Sequence, residues 1–145
     1  MDDSEKLIEK LKLIEALYSG ATTPGEKQAA ENALQKIKDR LDQIKKVDPP
    51  VEYKFSMQNI WSRRIFLALL RRYDLKPYRY FRQRYTTVMV KVSKTFVNET
   101  LWPQFLALDK ELTAHLNETA DKIIRRAVYD DSSEAEEIQS IAYVR

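Results

Sequence analysis

The chain has 145 residues, of which 43% are hydrophobic and 32% are charged, and its formal net charge is +3. This is enough apolar material for the core of one ordinary domain. The absence of cysteine and the presence of only two glycines, Gly20 and Gly25, exclude disulfides, thiolate metal sites, cysteine nucleophiles and the usual glycine-rich phosphate loops.

Neither a targeting segment nor a membrane span is evident in the sequence. The first ten residues, MDDSEKLIEK, are mostly charged, and the longest apolar run, IFLALL, has six residues. A helix needs about 20 apolar residues to cross a bilayer. We therefore predict a cytoplasmic protein without stable membrane insertion.

Residues 1–47 are predicted to form an antiparallel helical hairpin. The first helix follows acidic residues that suit a helix N-terminus and ends at Gly20, while Thr23 to Glu26 resembles a capping box at the start of the second. Apolar residues recur at helical spacing in both helices. They are Leu7, Leu11, Ile14 and Leu17 in the first, and Ala30, Ala33, Leu34, Ile37, Leu41 and Ile44 in the second.

The two prolines at 49 and 50 mark a boundary, after which a compact α+β domain is predicted over residues 51–129. The segment from Val51 to Met57 alternates as a strand does, and a helix from Ile60 to Tyr73 follows the capping pair Gln58-Asn59. The alternating apolar residues of the strand and the apolar arc of the helix would both face the core.

A strand pair and a long helix are predicted to complete a βαββα order. The pair consists of Tyr78 to Arg82 and Tyr85 to Val92, which are rich in Tyr, Thr and Val. The helix runs from Phe96 to Ala127, and Pro103 either kinks it or divides it. Residues 130–145 are an acidic tail that forms a final turn or two or stays mobile.

Three segments resemble a family of uncharacterised bacterial and phage-associated proteins, in which a helical hairpin precedes a compact domain with a basic, aromatic middle. They are GATTPGEKQAA, WSRRIFLALLRRYDLKPYRYFRQRYTTVMVKVSKTFV and LWPQFLAL, and the resemblance covers most of residues 15–128. It implies a bacterial, cytoplasmic setting, and it carries over no activity, cofactor or catalytic residue.

Positive charge is concentrated in the middle of the chain. Residues 61–94 hold ten Lys or Arg and one acid, Asp74, a local charge of +9, whereas residues 95–145 hold five bases and ten acids. Arginines that neutralise phosphates, interleaved with tyrosines that stack on bases, are typical of nucleic-acid binding. The residues predicted to bind DNA or RNA are Arg63, Arg64, Arg71, Arg72, Tyr78, Arg79, Tyr80, Arg82, Arg84, Tyr85 and Lys91.

Other interpretations of the same residues remain open. The tyrosines could be strand residues buried against helices, with the arginines paired to acids of the C-terminal helix or tail. The tryptophans Trp61 and Trp102 could belong to the core or anchor a partner. The alternative function is a protein-interaction or assembly adaptor that acts through the long C-terminal helix and the hairpin, including a homodimer through residues 4–46.

Enzyme activity is not predicted. His115 is the single histidine, so neither a common zinc site nor a nucleophile–base–orienter arrangement can be assembled around it. We predict no catalytic residue, no metal site and no cofactor.

Overall fold

A computed structural model describes residues 2–20 and 27–139, the side chains of residues 27–30 excepted. The helices are α1 (Asp3–Ser19), α2 (Lys27–Val47), α3 (Ile60–Arg72), α4 (Lys94–Phe96) and α5 (Trp102–Ala127). The strands are β1 (Val51–Ser56) and β2 (Thr87–Val92), and a π-helical segment, Val97–Leu101, joins α4 to α5. The predicted α+β class, with a helical hairpin, a small antiparallel sheet and a long C-terminal helix, is confirmed.

The chain divides into two compact units, Met1–Thr113 and Ala114–Arg145. In the second unit, Lys122 pairs with Glu118 one helical turn away at 3.5 Å. Residues 130–139 of the predicted tail are exposed and form neither helix nor strand, while residues 140–145 lie outside the described part of the chain. The predicted domain limits at residues 47 and 129 stay a prediction.

The first helix begins and ends at the residues that its sequence marks. The Asp2 carboxylate accepts a hydrogen bond from the Glu5 N–H at 2.7 Å, and Gly20 has φ 76°, the left-handed conformation of a helix-ending glycine. The guanidinium of Arg40 in α2 donates to the carbonyls of Tyr18 and Ser19 at 3.0 and 3.2 Å. It therefore satisfies acceptors that α1 leaves free. The predicted start of the second helix, residues 23–26, lies outside the described residues.

The apolar face of α2 is buried in the core of its own unit. Ala33 and Ile37 are 0% exposed and Leu41 is 2% exposed, while Leu34 and Ile44 are partly buried. This agrees with the predicted helical spacing. The prediction for Ala30 lies outside the side chains that the structure describes. Ile37 and Leu41 lie in one core cluster with residues of the sheet, α3 and α5.

The sheet pairs β1 with β2 in antiparallel register, from Val51 opposite Val92 to Ser56 opposite Thr87. Val88, Val90 and Val92 share one face of β2 and are at most 1% exposed. Thr87 and Met89 on the other face are buried as well, and Lys91 is exposed. Phe55 on β1 continues this apolar layer. Its ring lies 4.7 Å from that of Phe66 and 5.3 Å from that of Trp102, so Trp102 packs on the core.

The predicted strand from Tyr78 to Arg82 does not form; only Tyr78 bridges to Met89, with both N···O distances at 2.8 Å. After Tyr78 the chain leaves the sheet because the Tyr80 N–H is bonded by the Gln83 side chain at 2.8 Å and Arg82 has φ 71°. The described sheet therefore has two strands, and the element order differs from βαββα. We call residues 77–86 the basic loop.

Pro103 is the second residue of α5, and α5 follows the π-helical segment directly. Proline has no N–H to donate within a helix, and a wider π turn just before it suits that defect. Upstream, the Asp48 carboxylate accepts a hydrogen bond from the Thr95 N–H at 2.8 Å at the start of α4. This bond lowers the pKa of Asp48. The bend at Pro103 stays a prediction.

Across residues 2–20 and 27–139, every helix is too short or too polar to cross a bilayer.

Candidate nucleic-acid interface

The basic loop is anchored at several points of its backbone. The bridge between Tyr78 and Met89 fixes its start. Inside the loop the Gln83 side chain accepts from the Tyr80 N–H and donates to the Met89 sulfur at 3.5 Å, while Arg79 donates to the Gln83 carbonyl at 3.4 Å. These contacts give the loop a defined shape, although it has no regular secondary structure.

Two arginines hold the ring of Tyr85. The guanidinium of Arg63, from α3, lies 4.2 Å from the ring centroid, and that of Arg79, from the loop, lies 5.4 Å from it. Such cation–π contacts are worth about 0.5–1 kcal/mol each at exposed sites. Tyr85 is 55% exposed. The structure thus brings a helix residue and two loop residues of the predicted site together.

Tyr78 and Tyr80 share one carboxylate. Both hydroxyls donate to Oε2 of Glu52 on β1, and their rings are 5.6 Å apart at an interplanar angle of 75°. The bonds from Tyr78 and then Tyr80 lower the pKa of Glu52, and the bond to Glu52 raises the pKa of both tyrosines. Lys91, a predicted site residue, lies opposite Glu52 on β2.

This arrangement gives the loop a pH dependence that can be measured. Folding lowers the pKa of Glu52 from its ordinary value of 4.5. The stability that Glu52 contributes to the folded protein is therefore present above that pH and is lost as pH falls. Folding raises the pKa of Tyr80 from its ordinary value of 10.0. The stability that this tyrosine contributes is therefore present below that pH and is lost as pH rises. In an absorbance titration of tyrosinate, we expect Glu52→Gln to make two tyrosines ionise at lower pH than in the unmodified protein.

The control for that titration is Glu31→Gln, which changes an exposed carboxylate on α2. It should leave the tyrosine titration unaltered. Identical curves for Glu52→Gln and the unmodified protein would contradict the shared-carboxylate arrangement.

Five arginines of the predicted site form no ion pair with any carboxylate in the described part of the chain. Asp74, the one acid within residues 61–94, pairs with Lys38 of α2 at 2.9 Å and with none of these arginines. Arg64 lies 5.0 Å from the Trp61 ring centroid, and Arg82 lies 5.6 Å from that of Phe81. The five, all exposed, are Arg64, Arg71, Arg79, Arg82 and Arg84.

Arg72 differs from its neighbour Arg71. Its Nε and Nη2 donate to the two carboxylate oxygens of Glu15 in α1, the second at 2.6 Å. Glu15 is 6% exposed, and its hydrogen bonds raise the pKa of Arg72. Arg72 is therefore engaged inside the protein, where it joins α3 to α1. The sequence-based alternative paired the arginines with acids of the C-terminal helix or tail. Arg72 is paired internally, but its partner is in α1.

Phe81 is an exposed aromatic residue of the basic loop that the sequence-based prediction of the binding site did not include. It is 91% exposed and stands at the turn of the basic loop, directly before Arg82. Phe81 lies within the predicted strand from Tyr78 to Arg82. In a strand, every second side chain packs against one face of the sheet, so an apolar residue there is expected to be buried. Trp61 is also exposed, at 52%, so it lies outside the core. No residue type in this loop signals its turn, since the left-handed position is an arginine.

The fold and this surface define an α+β protein with an ordered, exposed loop rich in arginine and aromatic residues. No family model, no curated protein and no solved structure matches the chain. The resemblance to a family of bacterial and phage-associated proteins stays a prediction.

Proposed function

We propose that this protein binds nucleic acid through the basic loop and the adjoining face of α3, without enzymatic activity and with little sequence specificity. One observation carries the proposal: exposed guanidinium groups, which have no carboxylate partner among residues 2–20 and 27–139, lie beside exposed aromatic rings on an anchored loop. Phosphate neutralisation and base stacking need these two components. The resemblance supports a bacterial, cytoplasmic setting for this function.

Some residues would contact nucleic acid and others shape the loop, while Arg79, through Gln83 and Tyr85, belongs to both groups. Arg64, Arg79, Arg82 and Arg84 would contact phosphates, and Phe81 offers a free ring face for a base. Tyr78 and Tyr80 hold the loop through Glu52, and Arg63 fixes Tyr85. Since stacking and phosphate contacts do not read base edges, binding would be tolerant of sequence.

The test is salt-dependent binding of a labelled 20-nucleotide single strand, with duplex and RNA versions alongside, measured by fluorescence anisotropy. Four phosphate contacts predict that log K falls with log salt at a slope of about −3 for a single strand. Affinity should therefore drop by roughly fiftyfold between 50 and 200 mM salt. The absence of binding at 50 mM salt to all three oligonucleotides would remove the proposal.

Phe81→Ala isolates the stacking contribution. One lost base–aromatic stack is worth about 1–3 kcal/mol, so single-strand affinity should fall roughly tenfold with an unchanged salt slope. The matched control is Leu17→Ala, which removes another exposed apolar side chain, 73% exposed, far along the chain in α1. Equal affinities for the two variants would show that Phe81 does not stack.

The adaptor function is a second proposal, supported by different residues. Leu13 and Leu17 on α1 are 46% and 73% exposed, so they are available to a partner or a second copy through residues 4–46. Ile37 and Leu41 of α2 are in the core and are not available. Sedimentation at rising concentration, with Leu17→Ala as the variant, separates this function from nucleic-acid binding.

A further inference from the structure

A cleft of ≈ 260 Å³ lies between α1, α3 and α5, within the unit Met1–Thr113. None of its lining residues belongs to the basic loop. Its walls are apolar and are formed by Ile8, Leu11, Leu69 and Leu108. Its polar lining is formed by Lys12, Glu15, Arg72 and Gln104.

The hydrogen-bond acceptors in this cleft are already in use. Both carboxylate oxygens of Glu15 accept from Arg72. The Gln104 side-chain carbonyl accepts from the Tyr73 hydroxyl at 2.6 Å. Each of these oxygens therefore already accepts one hydrogen bond, and the charge of Glu15 is matched by that of Arg72. A ligand that brings only donors would compete with these bonds.

Two side chains of the cleft, in contrast, have hydrogen-bond donors without a partner among the described residues. The side-chain amide nitrogen of Gln104 has no partner within the described residues, although Gln104 is 1% exposed. Arg72 uses Nε and Nη2 for Glu15, which leaves Nη1 with two N–H groups. Both groups can donate to a bound molecule, so a complementary ligand carries an acceptor.

The charge of the lining narrows the class of ligand. Within the lining, Lys12 and Arg72 together outweigh Glu15 by one positive charge. Lys12 also pairs with Glu9 at 3.6 Å, but both side chains are exposed, so water weakens that pair. At about 30 Å³ for each water-sized group, the cleft has room for roughly eight or nine such groups. We propose that this cleft binds a small apolar monocarboxylate, with the carboxylate at Gln104 and Arg72 and the hydrocarbon body against the four apolar side chains.

The test uses octanoate as the probe, with octan-1-ol and octylamine as comparators of the same chain length, measured by calorimetry and by ligand-observed NMR on the full chain. Octanoate should bind saturably at one site. Octylamine should bind at least about tenfold more weakly, because it adds a donor and a positive charge where both are in excess. The lack of saturable octanoate binding, or equal binding of octylamine, would overturn the proposal.

Variants at the rim keep the proposal testable without disturbing the core. Ile8→Trp, at a position 49% exposed, should block the cleft and abolish octanoate binding. Lys12→Glu should weaken octanoate at least about fivefold, whereas Lys6→Glu, the same charge change at an exposed position outside the lining, should not. Thermal unfolding verifies that each variant folds. Octanoate affinity unchanged in both Ile8→Trp and Lys12→Glu would locate the binding elsewhere and overturn the assignment.

Discussion

Arg72→Ala is expected to lower the free energy of unfolding by about 2–3 kcal/mol. The substitution leaves the carboxylate of Glu15, which is 6% exposed, without the guanidinium that binds both of its oxygens. Breaking a buried pair by removing one partner costs about 3–5 kcal/mol. The Arg72 side chain is 42% exposed, so water offsets part of this loss. Urea unfolding measures the change directly.

The neighbouring residue supplies the matched control. Arg71 has the same side chain and the same helix, but it is exposed and pairs with no described carboxylate. Arg71→Ala should therefore change stability by no more than about 0.5 kcal/mol. A further variant, Glu15→Gln in the Arg72→Ala background, should recover part of the loss because it removes the unpaired buried charge. Equal destabilisation by the two arginine substitutions would contradict the ion pair.

Replacement of Arg79, Arg82 and Arg84 by alanine is expected to lower affinity for single-stranded oligonucleotides on the order of a hundredfold at 50 mM salt. Each phosphate contact contributes about 0.7 to the single-strand salt slope, so three lost contacts should make the slope shallower by about 2. The three side chains are exposed, and none forms an ion pair with a described carboxylate. Anisotropy titrations at several salt concentrations measure both quantities.

A triple substitution elsewhere controls for net charge. Lys36, Lys45 and Lys46 are exposed on α2 and outside the described ion pairs, and their replacement by alanine removes the same three charges. That variant should retain most of the affinity and most of the salt slope. If both triple variants lose affinity equally, the protein responds to total charge, and the basic loop is not a defined site.

Several parts of the fold could be predicted because their causes are local. Asp2 and Gly20 mark the ends of α1, Asn59 caps α3 at 2.9 Å from the Ser62 N–H, and alternation identifies β1. Each of these signals lies within a few residues of the structure it specifies. The concentration of positive charge in residues 61–94 is likewise a property of the chain alone.

The basic loop could not be predicted for the opposite reason. Tyr-rich and Thr-rich sequence favours a strand, yet the Tyr80 N–H is bonded by Gln83 and the hydroxyl of Tyr80 by Glu52, 28 residues away. A positive φ at Arg82 costs about 1–2 kcal/mol for a residue with a Cβ, and these contacts offset it. Strand propensity is a property of single residues, whereas this turn depends on the hydrogen bonds that Tyr80 makes with other residues.

From the sequence by itself follow the α+β class, the ends of α1, the start of α3 and the concentration of arginines, because each depends on neighbouring residues or on composition. Tertiary structure decided which arginines are available. Arg71 and Arg72 are adjacent and chemically identical, but only Arg72 meets Glu15, a carboxylate 57 residues earlier in the chain. An ion pair depends on distance in space, and the tertiary structure sets that distance by placing Glu15 of α1 beside Arg72 of α3.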